Sequence, residues 1–219
     1  MGKKITWIIV AVFATLVGLY PAIYFVIDRT FGLLKSKSPA LLNNVLWNLS
    51  FYTHIILGGV SLLVGWPQFL TRFRQRRPLS HQWIGKAYIL SVLLSSIAGI
   101  YIAFYATGGI ISSLGFICLG VIWFYSTVRA YLAIRKGQVD RHRKMMIYSY
   151  AACFSAVTLR IYLPLLTFLF HDFVKAYLVV AWLCWIPNIV IAYALVKRLA
   201  KTTEGAINDR ILMQTKLNV

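Results

Sequence analysis

Residues 145–170, MMIYSYAACFSAVTLRIYLPLLTFLF, form an apolar stretch in which Arg160 is the one charged residue. A helix that crosses a bilayer needs about 20 mostly apolar residues, so this stretch is long enough to span a membrane. Six such stretches run over about residues 5–27, 45–69, 84–105, 113–134, 145–170 and 177–196. Since 60 % of the residues are hydrophobic and 13 % are charged, the sequence predicts an all-α integral membrane protein. We expect a six-helix transmembrane bundle that forms a single domain over residues 1–219.

The placement of the basic residues predicts the orientation of the bundle. The chain has 23 Lys and Arg against five Asp and Glu, a net charge of +18. Apart from Arg160, all but four of the basic residues fall on the side of the two termini. The four on the opposite side, which we call the outer side, are Arg29, Lys35, Lys37 and Lys175. The positive-inside rule then predicts that both termini, including a basic tail over residues 197–219, are cytoplasmic. We expect a bacterial inner-membrane protein whose cytoplasmic face meets anionic lipids, and no nucleic-acid partner.

Arg160 needs hydrogen-bond acceptors or an anion inside the bilayer, because a guanidinium does not lose its proton. The five acidic residues all fall in predicted loops or tails. They are Asp28, Asp140, Asp172, Glu204 and Asp209. The expected partner of Arg160 is therefore a carbonyl, a neutral side chain, water or a ligand that the sequence does not encode.

Three polar residues are predicted to lie at a similar depth in the outer half of the bundle. At a rise of 1.5 Å per residue, His54, Arg160 and Asn188 lie about 14 to 16 Å below the outer ends of their helices. Tyr24 and Thr158 are candidate neighbours. One interpretation is a hydrogen-bonded lock between helices. The other is a ligand-binding cavity that holds an anion or a polar redox ligand such as a quinone.

A second polar group is predicted at the inner surface. Its members are Gln68, His81, Tyr88, His142 and Arg143. Paired histidines on facing helices commonly ligate haem iron, so His81 and His142 are candidate ligands of haem b. Gln68, Tyr88 and Arg143 are candidate ligand-binding residues beside them, since Arg pairs with propionates. The alternative is that the histidines simply bond phosphates and loop carbonyls.

The outer connection over residues 28–44 is the longest one on that side. It carries several apolar residues, among them Leu33, Leu34, Leu41 and Leu42. This composition predicts a short amphipathic helix that lies partly along the membrane interface. The short loops elsewhere favour sequential antiparallel packing of the helices.

Several spaced sequence blocks resemble an uncharacterised bacterial family of predicted multi-pass membrane proteins, catalogued as a domain of unknown function. The blocks are His54–Gly58, Gln68–Phe69, His81 with Gly85 and Tyr88, Trp123 with Arg129–Tyr131, His142-Arg143-x-x-Met146, Ser149–Ala151, Thr158–Arg160 and Ala181–Asn188. The resemblance runs from about Phe51 to Ala194 and implies a membrane fold but no reaction. The chain departs from the family at Gln82, where the family usually has Arg, and this weakens an anion site at that loop. The histidine-bearing bundle is similar in outline to the two-haem transmembrane cytochromes b, which suggests redox chemistry by analogy.

Three functional hypotheses follow from these patterns. The leading one is a redox or cofactor-binding membrane protein that holds haem or a quinone and takes part in electron transfer. The alternatives are a transporter or a lipid- or anion-binding protein that uses Arg160, and a structural or assembly factor without a ligand. No phosphate-binding glycine loop, metalloprotease helix motif or nucleophile elbow occurs in the sequence, so it identifies no catalytic residue.

Overall fold

The fold of this chain is seen in a computed structural model that describes residues 2–27 and 32–217, with side chains described from Lys4 to Lys201. Within these residues the chain forms helices and turns and no strand. Six helical spans are long and apolar enough to cross a membrane. They are Lys4–Val26, Val45–Phe69, Pro78–Ala103, Ile110–Arg135, Val139–Phe170 and Phe173–Lys201. The prediction of an all-α bundle with six transmembrane helices is confirmed.

Most spans are made of more than one helical segment. The α-helices are α1 (Gly2–Leu19), α2 (Ile23–Val26), α3 (Pro39–Leu42), α4 (Val45–Gly65), α5 (Thr71–Arg76), α6 (Pro78–Ala103), α7 (Ile110–Arg135), α8 (Val139–Cys153), α9 (Ser155–Phe170), α10 (Phe173–Leu183) and α11 (Ile186–Leu217). Short 3₁₀ turns at Tyr20–Ala22 and Trp66–Phe69 follow α1 and α4, and each contains a proline. A proline has no backbone N–H to donate, so the regular α-helix ends at both places.

The fifth and sixth spans are both interrupted within their length. The fifth changes from α8 to α9 at Phe154, and the sixth changes from α10 to α11 at Cys184. Pro187 explains the second break, because it cannot donate to the preceding turn. At the first break, the hydroxyl of Ser155 bonds back to the carbonyl of Ala151, a contact that bends helices.

Small residues bring the spans close together. The second span packs between the first and the third, the fourth packs against the third and fifth, and the sixth packs against the fourth and fifth. A Cβ at Gly59 would lie 2.5 Å from the carbonyl oxygen of Gly18, and one at Gly115 would lie 2.7 Å from that of Ala181. Such close approach is how membrane helices gain packing energy, since lipid supplies no hydrophobic driving force between them.

The outer connection folds against the bundle. It contains a 3₁₀ helix, Gly32–Ser36, and the short α3. Leu34 is 2 % exposed and packs with an aromatic cluster formed by Tyr24, Trp47 and Phe51. Leu33, Leu41 and Leu42 are half-buried. The connection thus contains short helices that pack partly against the bundle, and its position along the membrane interface stays a prediction. Residues 28–31 lie outside the described part.

Four of the five acidic residues fall in described backbone. Asp172 lies in a connection between spans, as predicted, where it caps α10 and accepts hydrogen bonds from two backbone N–H groups at 2.8 and 3.1 Å. Asp140 lies in the first turn of α8 instead of in a loop. Glu204 and Asp209 fall in the predicted tail, which is helical because α11 continues to Leu217. Asp28 lies outside the described residues.

Candidate functional site

A cavity of about 220 Å³ lies in the outer half of the bundle, and residues of all six spans line it. The outer connection also contributes, through Leu33, Leu34 and Lys37. For comparison, an apolar cavity of about 150 Å³ holds a benzene molecule, and a water occupies about 30 Å³ of liquid. The cavity is therefore large enough for a small organic molecule or for several waters.

Arg160 lines this cavity and is only partly satisfied. Its Nη1 donates to the carbonyl of Ala156 at 2.9 Å, one turn back in its own helix. The guanidinium carbon lies 4.5 Å from the ring centroid of Tyr20, a cation–π contact. Its Nε is buried and has no hydrogen-bond partner. In the described part of the chain the one ion pair joins Lys175 to Asp172, so no described carboxylate neutralises Arg160.

His54 lines the same cavity and is held by the third span. Its Nδ1 donates to the carbonyl of Ser95 at 2.9 Å, and the Ser95 hydroxyl donates to the carbonyl of His54 at 2.9 Å. Because a carbonyl only accepts, Nδ1 must carry a proton, and Nε2 of the neutral ring is then an acceptor. Gly99 makes room for the ring, since a Cβ there would lie 2.6 Å from Nδ1.

Asn188 does not line the cavity. Its Nδ2 donates to Thr158 Oγ1 at 3.2 Å, to the Cys184 carbonyl at 3.1 Å and to the Ala151 carbonyl at 3.4 Å. Thr158 in turn donates to the Cys184 carbonyl. These carbonyls flank the breaks in the fifth and sixth spans, where the helix does not satisfy them. The structure thus brings His54 and Arg160 together but separates Asn188, with Thr158, into a lock between two spans.

Buried side chains line the cavity on its inner side. Leu62, Trp123 and Cys153 line it there and are 1 %, 6 % and 3 % exposed. Beneath them lies a buried chain of hydroxyl groups. Tyr88 Oη is 2.8 Å from Ser149 Oγ, which is 2.6 Å from Thr127 Oγ1.

None of the five predicted inner-surface residues lines the outer cavity. His142 Nδ1 donates to the carbonyl of Ala130 at 2.9 Å, which leaves Nε2 as the nitrogen that could bind a metal. His81 Nδ1 and Gln68 Nε2 are buried without a partner. Arg143 is exposed, and Tyr88 belongs to the hydroxyl chain. Among the described residues there is no group of three or more His, Cys, Asp or Glu side chains that could hold a metal ion.

Two residues of the outer site, Tyr20 and Lys37, were not predicted from the sequence. Tyr20 is spaced one helical turn before Tyr24, a signal that both rings face one side. Lys37 was counted only as an outer charge. It is half-buried, lines the cavity, and donates to the Tyr105 carbonyl and to Thr107 Oγ1, the latter at 3.1 Å. Burial lowers the pKa of Lys37 below its ordinary value.

A family model described as "Predicted membrane protein (DUF2306)" matches residues 51–196. No curated protein and no solved structure matches the chain. The matched region begins within the second span and ends within the sixth, and it includes both His54 and Arg160, whereas Tyr20 and Lys37 precede it. The chain belongs to the DUF2306 family of predicted membrane proteins.

Proposed function

We propose that this membrane protein binds a small anionic organic molecule in its outer cavity, with Arg160 as the residue that recognises the anion. The observation that carries the proposal is the buried, unpartnered Nε of a guanidinium that lines a cavity of about 220 Å³. An intramembrane charge is costly, and such residues usually mark ligand sites. A carboxylate or phosphate oxygen would accept from Nε and from the second terminal nitrogen together.

The charge of the cavity wall favours an anion. Arg160 and Lys37 both line it, and among the described residues no Asp or Glu does. A ligand that carries negative charge would offset the cost of burying these cations, whereas a neutral ligand would not. The rest of the wall is mostly apolar and aromatic, which suits a ligand with a short hydrocarbon or ring portion.

The buried inner end of the cavity supports a binding role over a continuous passage. Leu62, Trp123 and Cys153 line that end, which we call the floor, and they are almost fully buried. A transporter in this conformation would have to open that floor, and the hydroxyl chain through Ser149 ties three spans together directly beneath it.

A quinone is the second candidate ligand. Two groups of the cavity favour it. The Arg160 guanidinium could donate to a quinone carbonyl, and His54 Nε2 could accept from the hydroxyl of the reduced quinol. His54 would then be the residue that distinguishes the two ligand classes.

Haem b at His81 and His142 remains a prediction. The bond from His142 Nδ1 to the Ala130 carbonyl is of the kind that orients metal-binding histidines, but neither histidine lines the outer cavity. An absorption spectrum of protein purified from haem-replete cells tests it directly. A Soret band that His81→Ala abolishes would establish haem, and a colourless preparation would remove it.

We further propose that the protein resides in the bacterial inner membrane and that anionic lipids contact its cytoplasmic face. Arg129, Lys136 and Arg141 line a small hollow of about 60 Å³ at that end of the bundle. Each basic residue near an anionic surface contributes about 1 kcal/mol of attraction.

Titration calorimetry of the protein in phosphatidylcholine nanodiscs tests the anion proposal. The probes are hexanoate and hexyl phosphate, with hexanol as the neutral comparison and 2,3-dimethoxy-5-methylbenzoquinone as the quinone. We expect the anions to bind and Arg160→Gln to weaken them by about tenfold or more, a change of about 1.4 kcal/mol. Arg160→Lys should weaken them less, because a forked donor becomes a point charge.

The matched control is Arg76→Gln, which removes an exposed arginine far from the cavity. It should bind like the unaltered protein. If the quinone alone binds, with dependence on His54, the second candidate replaces the first. If a folded Arg160→Gln variant binds the anions equally well, or if no probe binds, the site proposal fails and a structural or assembly role without a ligand is favoured.

A further inference from the structure

Lys37 connects the cavity to the outer surface. It is half-buried and lines the cavity, while Lys35 and Ser36 beside it are exposed. The floor at the opposite end consists of buried residues. Among the described residues, the cavity wall is therefore closest to the outer surface at Lys37, in the outer connection.

The segment that carries Lys37 is fastened to the opposite side of the cavity mouth. Lys37 Nζ donates to the Tyr105 carbonyl and to Thr107 Oγ1, and Ser36 Oγ lies 2.9 Å from the same Thr107 oxygen. Thr107 belongs to the turn between the third and fourth spans. Two side chains of the outer connection thus converge on one hydroxyl. Removing that hydroxyl would free Ser36 from the turn and would leave Lys37 with its bond to the Tyr105 carbonyl alone.

We propose that residues 32–42 form an outer gate and that Lys37 is its specificity residue, which admits an anionic ligand to Arg160 from the outer aqueous side. This inference rests on the proposed function. An ammonium has three donors, and two of them hold the gate closed in this structure. The third is available to an approaching carboxylate or phosphate, so the group that closes the gate also attracts the ligand.

The charge pattern supports one-sided admission of anions. Positive groups lie at the mouth and in the interior, at Lys37 and Arg160, and no described carboxylate lines the path between them. A cleft with apolar walls and charges of one sign concentrates the opposite ion and raises its rate of association about 10-fold to 1,000-fold.

A single-cysteine variant measures access to the cavity. Ala156 is half-buried, lines the cavity and accepts the Arg160 hydrogen bond through its carbonyl, so Ala156→Cys places a thiol beside the proposed anion site. The native Cys118, Cys153 and Cys184 are replaced by Ser, Ala and Ala. The probes are two thiol reagents of similar size, 2-sulfonatoethyl methanethiosulfonate and 2-(trimethylammonium)ethyl methanethiosulfonate, applied to spheroplasts and to inverted membrane vesicles.

We expect the anionic reagent to label the thiol faster than the cationic one by about tenfold or more, and only from the side that carries residues 32–42. Lys37→Met should reduce this ratio severalfold, whereas Lys35→Met, the exposed lysine two residues away, should keep it. Thr107→Val should accelerate both reagents about equally, because it removes two of the three bonds that hold the gate and keeps the charge of Lys37. Helix content and elution volume confirm that each variant folds.

The gate proposal would be wrong if the ratio of anionic to cationic labelling rates were equal in Lys37→Met and Lys35→Met. It would also be wrong if the thiol were labelled from the inner side alone. Unchanged rates in Thr107→Val would contradict it too. The calorimetric effect of Arg160→Gln on hexanoate binding is independent of these rates. If the labelling experiments contradict the gate but Arg160→Gln still weakens hexanoate binding, only the gate is wrong and the anion site is supported. If Arg160→Gln has no effect on hexanoate binding either, the proposed function is wrong as well.

Discussion

The stability of Arg160→Met shows whether Arg160 forms a ligand site or a lock between helices. A ligand site predicts little loss of stability, whereas a lock predicts a large one. Burying an arginine at the centre of a membrane helix costs about 2.5–3.5 kcal/mol on insertion scales. The substitution removes that cost. It also removes one hydrogen bond to the Ala156 carbonyl, worth about 0.6–1.7 kcal/mol in a membrane, and the cation–π contact with Tyr20, worth about 0.5–2 kcal/mol.

The gain and the losses are of similar size. We therefore expect the free energy of unfolding of ligand-free Arg160→Met to lie within about 1 kcal/mol of the unaltered protein, or above it. Met keeps an unbranched stem of similar length, so packing beside Tyr20 is retained. If the guanidinium were a lock, its loss would cost about 3–5 kcal/mol, as for a broken buried ion pair.

The comparison variant is Asn188→Leu, which removes a true lock. The two amide protons are shared among Thr158 Oγ1 and the Cys184 and Ala151 carbonyls, so at about 0.6 kcal/mol for each proton the loss is about 1 kcal/mol or more. Both variants are unfolded in mixed micelles with increasing dodecyl sulfate and followed by circular dichroism. A loss of about 3 kcal/mol or more in Arg160→Met, or no loss in Asn188→Leu, would refute the assignment of the two roles.

Three further predictions concern the residues around the site. Gly99→Ala should displace the His54 ring, because the new Cβ would lie 2.6 Å from Nδ1, and should lower the free energy of unfolding by about 1–3 kcal/mol in the same denaturation assay. The Ala156→Cys variant should lose its preference for the anionic reagent as the pH rises and Lys37 loses its proton. Because burial lowers the pKa of Lys37, this loss should occur below about pH 10.4, where an ordinary lysine titrates. Lys37→Arg should extend the preference to higher pH, because arginine keeps its proton. Tyr88→Phe should cost about 0.5–1.5 kcal/mol of stability through the lost bond to Ser149, with hexanoate binding unchanged by calorimetry.

Hydropathy was sufficient to predict the fold, because every spanning helix must satisfy its backbone internally and must be about as long as the bilayer is thick. The structure agrees with the number and order of the six spans. The interruption at Phe154 was not predicted, since it depends on side-chain contacts of Ser155 rather than on a proline or a glycine.

The site was predictable in part. A uniform rise per residue is a fair guide for His54, whose helix is regular, and it put His54 and Arg160 near one level. It placed Asn188 near Thr158, which Asn188 does contact, but a depth count does not say which way a side chain faces. Asn188 bonds to carbonyls at the breaks in the fifth and sixth spans and does not line the cavity. Lys37 had no signal in the sequence, since its position depends on tertiary bonds to Tyr105 and Thr107 that local patterns do not encode.

Native mass spectrometry of the protein extracted directly from membranes tests the central claim that Arg160 holds an anionic ligand. We expect the unaltered protein and Arg76→Gln to carry a bound small molecule that negative-ion fragmentation releases as an acid. Arg160→Gln, folded and extracted in the same way, should lack this mass. The same bound mass in Arg160→Gln would contradict it.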